Sequence, residues 1–347
     1  YGNDNPYNKN KNFKTHYSFN TKKLNTIFIP FGREPDGLKK VMPFFPSLFF
    51  QLIFYKPDII LCEGSSALPN AIVSFLYAKL FRKRFIWWSL GSINKNTKLG
   101  LIRSRIDWLS NYIEKNSSAI FTYSSKGKEY FKQRGVKDEK IFVAVNVIDT
   151  SKRLNEINKI KEKGIKKGEH FQILFVGAII KEKRLEILIE AFNMLYSKYK
   201  NKVNLVIVGD GPYLDEIKNF AFRTNSKNII FTGKIIDGVS EFFIESDVFV
   251  LPGLGGLAIS DAMVHGLPII ASSADGTEQD LVTPETGFLF KDLTVDILYE
   301  KLEFLLLNPE IRDSMAIAAK KNITTKYSFD NYYSVFKKLI SYVLLNN

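Results

Sequence analysis

Short apolar runs alternate with stretches whose apolar residues recur every three or four positions, and the alternation persists along most of the chain. It predicts parallel sheets with helices packed on their faces. In the first half the expected strands are Thr26–Pro30, Ile59–Cys62, Phe85–Trp88, Ala119–Thr122 and Ile141–Val145, with helices at Leu38–Phe54, Leu68–Phe81, Leu101–Lys115 and Ser125–Arg134. Residues 149–169 break the pattern with charges and no alternation, and read as the connection between two domains. The second half predicts strands at Gln172–Val176, Asn204–Val208, Ile229–Thr232, Val248–Leu251 and Ile269–Ser272. Its helices fall at Arg184–Tyr199, Leu214–Phe222, Val239–Glu245, Ser260–His265, Thr294–Leu306, Pro309–Asn322 and Asn331–Leu345. The expected fold class is therefore α/β, two doubly wound Rossmann-like domains facing each other across a cleft. The last amphipathic helix crosses back to the first domain.

A length of 347 residues agrees, because it exceeds what one hydrophobic core usually serves. The expected division is 1–150, completed by 326–347, and 151–325. The longest apolar run, Val41–Tyr55, is too short for a membrane span and carries Pro43 and Pro46. A single cysteine, Cys62, rules out an internal disulfide framework and fits a packing role in a reduced, cytoplasmic protein. The net charge of +13 points to polyanions. No zinc spacing, basic heptad or RNP-like strand supports nucleic acid, which leaves an anionic membrane surface or a merely solvated exterior. Tyr1 opens a polar, Asn- and Lys-rich stretch with no strand and glycine turn before Thr26, so the chain is expected to start inside a longer protein, its first strand missing.

The richest loop is Pro252-Gly253-Leu254-Gly255-Gly256-Leu257, which follows the run Val248–Leu251 and opens into Ala258-Ile259-Ser260-Asp261-Ala262-Met263. Glycine lets the backbone approach an anion, and the N–H groups of Gly255, Gly256 and Leu257 would point at it. Asp261 stands near enough to accept hydrogen bonds from the hydroxyls of an attached sugar or ribose. Ligands of open α/β sheets bind outside the carboxyl ends of the strands, so the neighbouring loops bear on the reading. After Gln172–Val176 comes Gly177 and then Lys183 and Arg184, cations suited to a diphosphate. Gly209-Asp210-Gly211-Pro212 reads as a tight turn. Gly233-Lys234-Ile235-Ile236 sets an apolar pair beside a glycine, suited to a nucleobase. In Gly276-Thr277-Glu278-Gln279-Asp280, amides could cap another phosphate while Glu278 and Asp280 cap the helix that follows.

Taken in order, these segments resemble the donor domain of family 4 (group 1) retaining glycosyltransferases of the GT-B fold. The resemblance rests on Phe175-Val176-Gly177 with Lys183-Arg184, Leu205-Val206-Ile207-Val208-Gly209-Asp210-Gly211-Pro212, Phe231-Thr232-Gly233 and Asp247-Val248-Phe249-Val250-Leu251-Pro252. It continues through Asp261-Ala262-Met263, Gly266-Leu267-Pro268-Ile269-Ile270-Ala271 and Gly287-Phe288-Leu289. It is dense over 170–290 and looser before, where it uses Lys56-Pro57-Asp58-Ile59-Ile60, Ile86-Trp87-Trp88-Ser89-Leu90-Gly91 and Asn146-Val147-Ile148-Asp149. The family's two glutamates, seven residues between them, fall here on Gly253 and Asp261. An arginine common after the first donor glycine is replaced by Ala178, and the acceptor-side histidine by Leu90.

The resemblance implies transfer of a sugar from a nucleotide-diphosphate sugar, a UDP-sugar foremost, to a hydroxyl of a growing glycan or polyprenyl-linked saccharide in surface polysaccharide synthesis, with retention. Lys183 and Arg184 would stabilise the departing diphosphate, and Gly177, Gly233, Lys234, Gly253, Gly255, Gly256, Leu257 and Asp261 would bind the donor. Glu63, Ser65 and Gly91 would serve the acceptor, Glu63 with helix capping as its other reading. No cofactor and no metal is expected, and closure about 149–169 would assemble the site. Phe44-Phe45-Pro46-Ser47-Leu48-Phe49-Phe50 reads either as membrane-inserting or as the buried side of a helix. Gly253 and Asp261 also leave open a non-catalytic or epimerase-like nucleotide-sugar-binding protein of the same fold.

Overall fold

A computed structural model describes residues 24–33, 39–64, 67–91, 98–274 and 276–346. The chain forms two compact units, one of residues up to Val143 together with those from Phe336 onward, the other Ala144–Val335.

The first unit opens with an antiparallel pair, β1 (Ile27–Arg33) and β2 (Lys39–Phe44), then α1 (Leu48–Tyr55). The helix expected over Leu38–Phe54 is thus divided. Pro43 and Pro46 lack the N–H a helix needs and push their predecessors toward extended backbone, so helix begins only after them. Asn70 fixes the exit from β2: its Oδ1 accepts from the Phe45 amide and its Nδ2 donates to the Pro43 carbonyl, both at 2.9 Å. Strand Thr26–Pro30 consequently belongs to this hairpin, outside the parallel sheet.

That sheet runs in chain order, β3 (Ile59–Glu63), β4 (Arg84–Trp88), β5 (Ala119–Thr122) and β6 (Ile141–Val143), all parallel. The crossovers are α2 (Leu68–Leu80), α3 (Lys98–Asn116) and α4 (Ser125–Gln133). Successive strand residues face opposite sides. Ile120 joins the core formed with Phe75, Ile113 and Phe131, whereas Phe121 meets Phe336 of the terminal helix, ring centroids 5.8 Å apart.

The second unit begins with α5 (Thr150–Glu162), in the stretch expected to be an irregular connection. Asp149 caps it, accepting from the Lys152 amide at 2.9 Å, and Ile157 and Ile160 are buried one turn apart. The lysines around those apolar positions hide the period. Six parallel strands follow: β7 (Phe171–Val176), β8 (Val203–Val208), β9 (Ile229–Gly233), β10 (Val248–Leu251), β11 (Ile269–Ser272) and β12 (Gly287–Phe290). Between them lie α6 (Leu185–Tyr199), α7 (Leu214–Arg223), α8 (Val239–Glu245), α9 (Ala258–Val264) and α10 (Thr277–Leu281), then α11 (Val295–Leu307), α12 (Pro309–Thr325) and α13 (Phe329–Leu345). Every residue of β10 and β11 is buried, as a sheet covered on both faces requires. From Phe336, α13 belongs to the first unit, where Leu339 and Val343 are buried and the Val343 carbonyl accepts from Arg84 Nε at 2.7 Å.

Candidate functional site

The strand order of the second unit is β12-β11-β10-β7-β8-β9. From β7 the chain winds outward through β8 and β9, then returns to the other side of β7 and winds the opposite way. The crevice at the carboxyl ends of β7 and β10, where the winding reverses, is where such sheets bind ligands.

The loops leaving these two strands lock onto each other. The Leu254 amide donates to the Glu182 carbonyl at 2.9 Å. The buried Lys183 ammonium donates to the carbonyls of Leu254, at 2.5 Å, and Gly255, at 2.7 Å. In a trans peptide plane the carbonyl and the next N–H point in opposite directions. With two carbonyls drawn to Lys183, the N–H groups of Gly255 and Gly256 face the other way, and among the described residues neither these nor the Leu257 amide donates within the protein. Lys183 thus shapes an amide-lined loop instead of standing clear in the crevice.

Gly253 has a different part from the one its loop suggested. A Cβ there would lie 2.1 Å from the Glu182 carbonyl oxygen and 2.7 Å from the Lys183 carbonyl carbon, so no side chain, acidic or otherwise, fits. Gly209 is walled in likewise, its would-be Cβ 1.9 Å from the Gly177 carbonyl oxygen. The Gly177 amide donates to Val208 and the Gly209 amide to Gly233, both at 3.0 Å, which joins the loops after β7, β8 and β9. Arg184 turns away from its neighbour: it takes a left-handed conformation, φ 54°, and its guanidinium donates to the Leu293 carbonyl at 3.2 Å. Lys234 is exposed, and space is open around Gly233.

Asp261 sits in the first turn of α9, and its Oδ1 accepts from Arg153 Nε at 2.7 Å. Arg153 also pairs with Glu156, at 2.7 Å, whose carboxylate accepts from Ser240 at 3.3 Å. Burial pushes the Asp261 carboxyl above its usual range, and the Arg153 guanidinium pulls it back. The same arginine lines a cavity of about 440 Å³ between α5 and the lead-in to α8, with Lys152, Glu156, Ile236, Gly238 and Ser240. Arg153 and Glu156 were not foreseen because the segment read as a connection; the Asp149 cap and the Leu154, Ile157, Ile160 spacing were the available signals. His265 packs: its ring stacks on Phe243 at 4.8 Å, Nδ1 lies 2.6 Å from the Asp261 carbonyl, and burial holds its pKa down to about 4.

In the first unit, Glu63 is exposed at the end of β3. Gly91 is buried beneath α4, φ 79°, its would-be Cβ 3.0 Å from the Tyr130 ring. Ser65 lies outside the described residues. Among the described residues no three His, Cys, Asp or Glu gather as for a metal, and no helix is long and apolar enough to cross a membrane.

Two parallel α/β units, the second with a switch point ringed by interlocked glycine loops, define the architecture of GT-B glycosyltransferases. The sequence profile of the family "Glycosyl transferases group 1" matches residues 156–322, the segment that holds the switch-point loops, and over that stretch the chain is similar to the family. An uncharacterized glycosyltransferase of Methanocaldococcus jannaschii is 27% identical over 314 residues, covering 85% of this chain and 78% of that protein. The capsular polysaccharide biosynthesis glycosyltransferase CapM of Staphylococcus aureus is 28% identical over 211 residues, 57% of this chain and 55% of CapM. Among solved structures, Anabaena HepE in complex with UDP superposes with a TM-score of 0.70 at 17% identity, covering 86% of this chain and 82% of HepE.

Proposed function

We propose that the chain moves a sugar from a UDP-sugar to a hydroxyl of a growing glycan or polyprenyl-linked saccharide in surface polysaccharide synthesis, with retention of anomeric configuration and without a metal. The observation that carries this reading is the locked pair of switch-point loops, in which Lys183 turns the Gly255 and Gly256 amides outward beside Asp261. CapM, a relative by sequence, bears a capsular polysaccharide role, and HepE, alike in fold, was solved with UDP.

In this reading the diphosphate rests on the Gly255, Gly256 and Leu257 amides, with the Lys183 charge behind them. Asp261 takes the ribose hydroxyls on the oxygen that Arg153 leaves open, and the base lies against Ile235 and Ile236 beside Lys234. As the bond from the anomeric carbon to the phosphate oxygen breaks, negative charge grows on the diphosphate, where fixed amides and a buried ammonium stabilise it. The acceptor oxygen bonds to the anomeric carbon on the same face, and its proton passes to the departing phosphate oxygen. Arg184 contributes only if it leaves Leu293 when donor binds. Glu63, Ser65 and Gly91 remain the acceptor-side assignment.

The test is release of nucleotide diphosphate from a panel of UDP-, GDP- and ADP-sugars, with and without lipid-linked saccharide acceptors. Release from a UDP-sugar that rises with acceptor supports transfer. Binding of UDP with no release from any donor would replace transfer by a nucleotide-sugar-binding role, the reading that Gly253's lack of room for an acid favours.

A further inference from the structure

Among the described residues, the helical layer of the first unit exposes apolar side chains on three neighbouring helices. Phe49 of α1 meets Tyr77 of α2 edge-on at 6.3 Å, and Phe75 of α2 meets Tyr112 of α3 at 6.2 Å, so the three helices lie side by side in that order. Each then presents an outward pair one helical turn apart: Phe50 and Phe54, Leu76 and Leu80, Trp108 and Tyr112. All six are more than half exposed, from 55% for Tyr112 to 75% for Phe54. Of the aromatic stretch Phe44–Phe50, then, Phe49 turns inward and Phe50 outward. Isolated exposed apolar residues need no explanation, but a patch drawn from three adjacent helices does.

Charge indicates what covers it. Lys56, Lys79, Arg82 and Lys115 are exposed on or beside these helices. Helices α1 and α2 contain no carboxylate, and the two described on α3, Asp107 and Glu114, are bound by Arg134 at 2.9 and 2.6 Å. Asp58, just after α1, is held by Lys83 at 2.7 Å. A protein interface depletes lysine around its apolar centre, whereas aromatic and aliphatic side chains ringed by cations suit the boundary between headgroups and acyl chains.

We propose that the outer face of α1, α2 and α3, with its apolar pairs Phe50/Phe54, Leu76/Leu80 and Trp108/Tyr112 and cationic border, docks the protein on an anionic lipid bilayer. This deepens the lipid-linked acceptor of the proposed function and rests on that reading only for its purpose. The apolar pairs enter the headgroup boundary and the cations meet lipid phosphates, so binding weakens as salt rises.

The test is sedimentation of the full chain with vesicles of phosphatidylcholine alone and of phosphatidylcholine with phosphatidylglycerol. Tryptophan emission is followed on the same samples, because Trp108 is exposed and Trp87 buried. We expect binding to the anionic vesicles, a blue shift that Trp108→Phe abolishes, and about tenfold or greater weakening in Phe54→Ser/Leu80→Ser. Lys79→Glu/Arg82→Glu should weaken anionic binding as well. Circular dichroism and UDP titration verify that each variant folds. No vesicle binding by the unaltered chain, binding unchanged in both double variants, or a dimer dissolved by Phe54→Ser/Leu80→Ser without vesicle binding would each overturn the inference. The two readings fail separately: lost vesicle binding with UDP binding intact removes only this one, and the converse removes only the donor site.

Discussion

Gly253 and Gly256 lie in one loop and should respond differently to the same added methyl group. At Gly253 the new Cβ would sit 2.1 Å from the Glu182 carbonyl oxygen, against the 3.4 Å at which ordinary contact begins, so the loops must part by 3.4 − 2.1 = 1.3 Å. The obstacle is backbone, which cannot rotate aside. Forced overpacking costs about 1–3 kcal/mol, and separating the loops also weakens charge-assisted hydrogen bonds from Lys183, each worth roughly 1.5–3 kcal/mol. Gly253→Ala should therefore lose about 3 kcal/mol or more, a drop of roughly 6–12 °C in Tm for a unit of this size. At Gly256 the nearest atom to a new Cβ is Lys183 Nζ at 3.6 Å, ordinary contact. Gly256→Ala should stay within about 1 kcal/mol of the parent, since reduced freedom in the unfolded chain offsets small strain. Thermal and urea denaturation measure the stabilities, and calorimetric titration with UDP measures the site. If Gly253→Ala matched the parent in both Tm and UDP affinity, the interlocked-loop account would be wrong.

Loss of the guanidinium in Arg153→Met removes a hydrogen bond to a charged, largely buried partner, worth about 1.5–3 kcal/mol, so donor KM should rise roughly 10–100-fold with kcat nearly unchanged. Arg153→Lys should recover part of it; equal KM for parent and Arg153→Met would remove Arg153 from the site. Because burial already raises the Asp261 pKa and Arg153 opposes it, the pH at which donor binding is half lost should move upward in Arg153→Met. His265 is neutral in the fold, with a pKa near 4 against 6.5 ordinarily. Below pH 6.5 the unfolded chain binds a proton the folded one refuses, so stability falls toward pH 4 by about 3 kcal/mol from this group. Urea melts across that range should show the increment in the parent and not in His265→Gln; identical slopes would contradict the burial of His265.

The second unit was legible because its strands are buried on both faces and its punctuation is strong. Val239–Glu245, Val248–Leu251 and Ile269–Ser272 carry the bounds that pattern alone predicts. Short elements are less so: β12 is four residues that open on Gly287, and α10 spans five, too few to show a period. Before α1 the apolar run crosses Pro43 and Pro46, which bar helix there, and in α5 lysines mask the core positions Leu154, Ile157 and Ile160. In the site, glycine spacing located the loops but not what each glycine faces. Gly253 and Gly209 meet another loop's backbone, and Lys183 meets carbonyls, relations between segments far apart in sequence.

The central claim is that the amides of the β10 loop receive a nucleotide diphosphate. The chain labelled with ¹⁵N-glycine, its Gly255 and Gly256 resonances assigned through Gly255→Ala and Gly256→Ala, tests it most directly. Titration with UDP should move both amide signals, and uridine, lacking the diphosphate, should leave them in place. UDP binding elsewhere while Gly255 and Gly256 stay still would contradict the account.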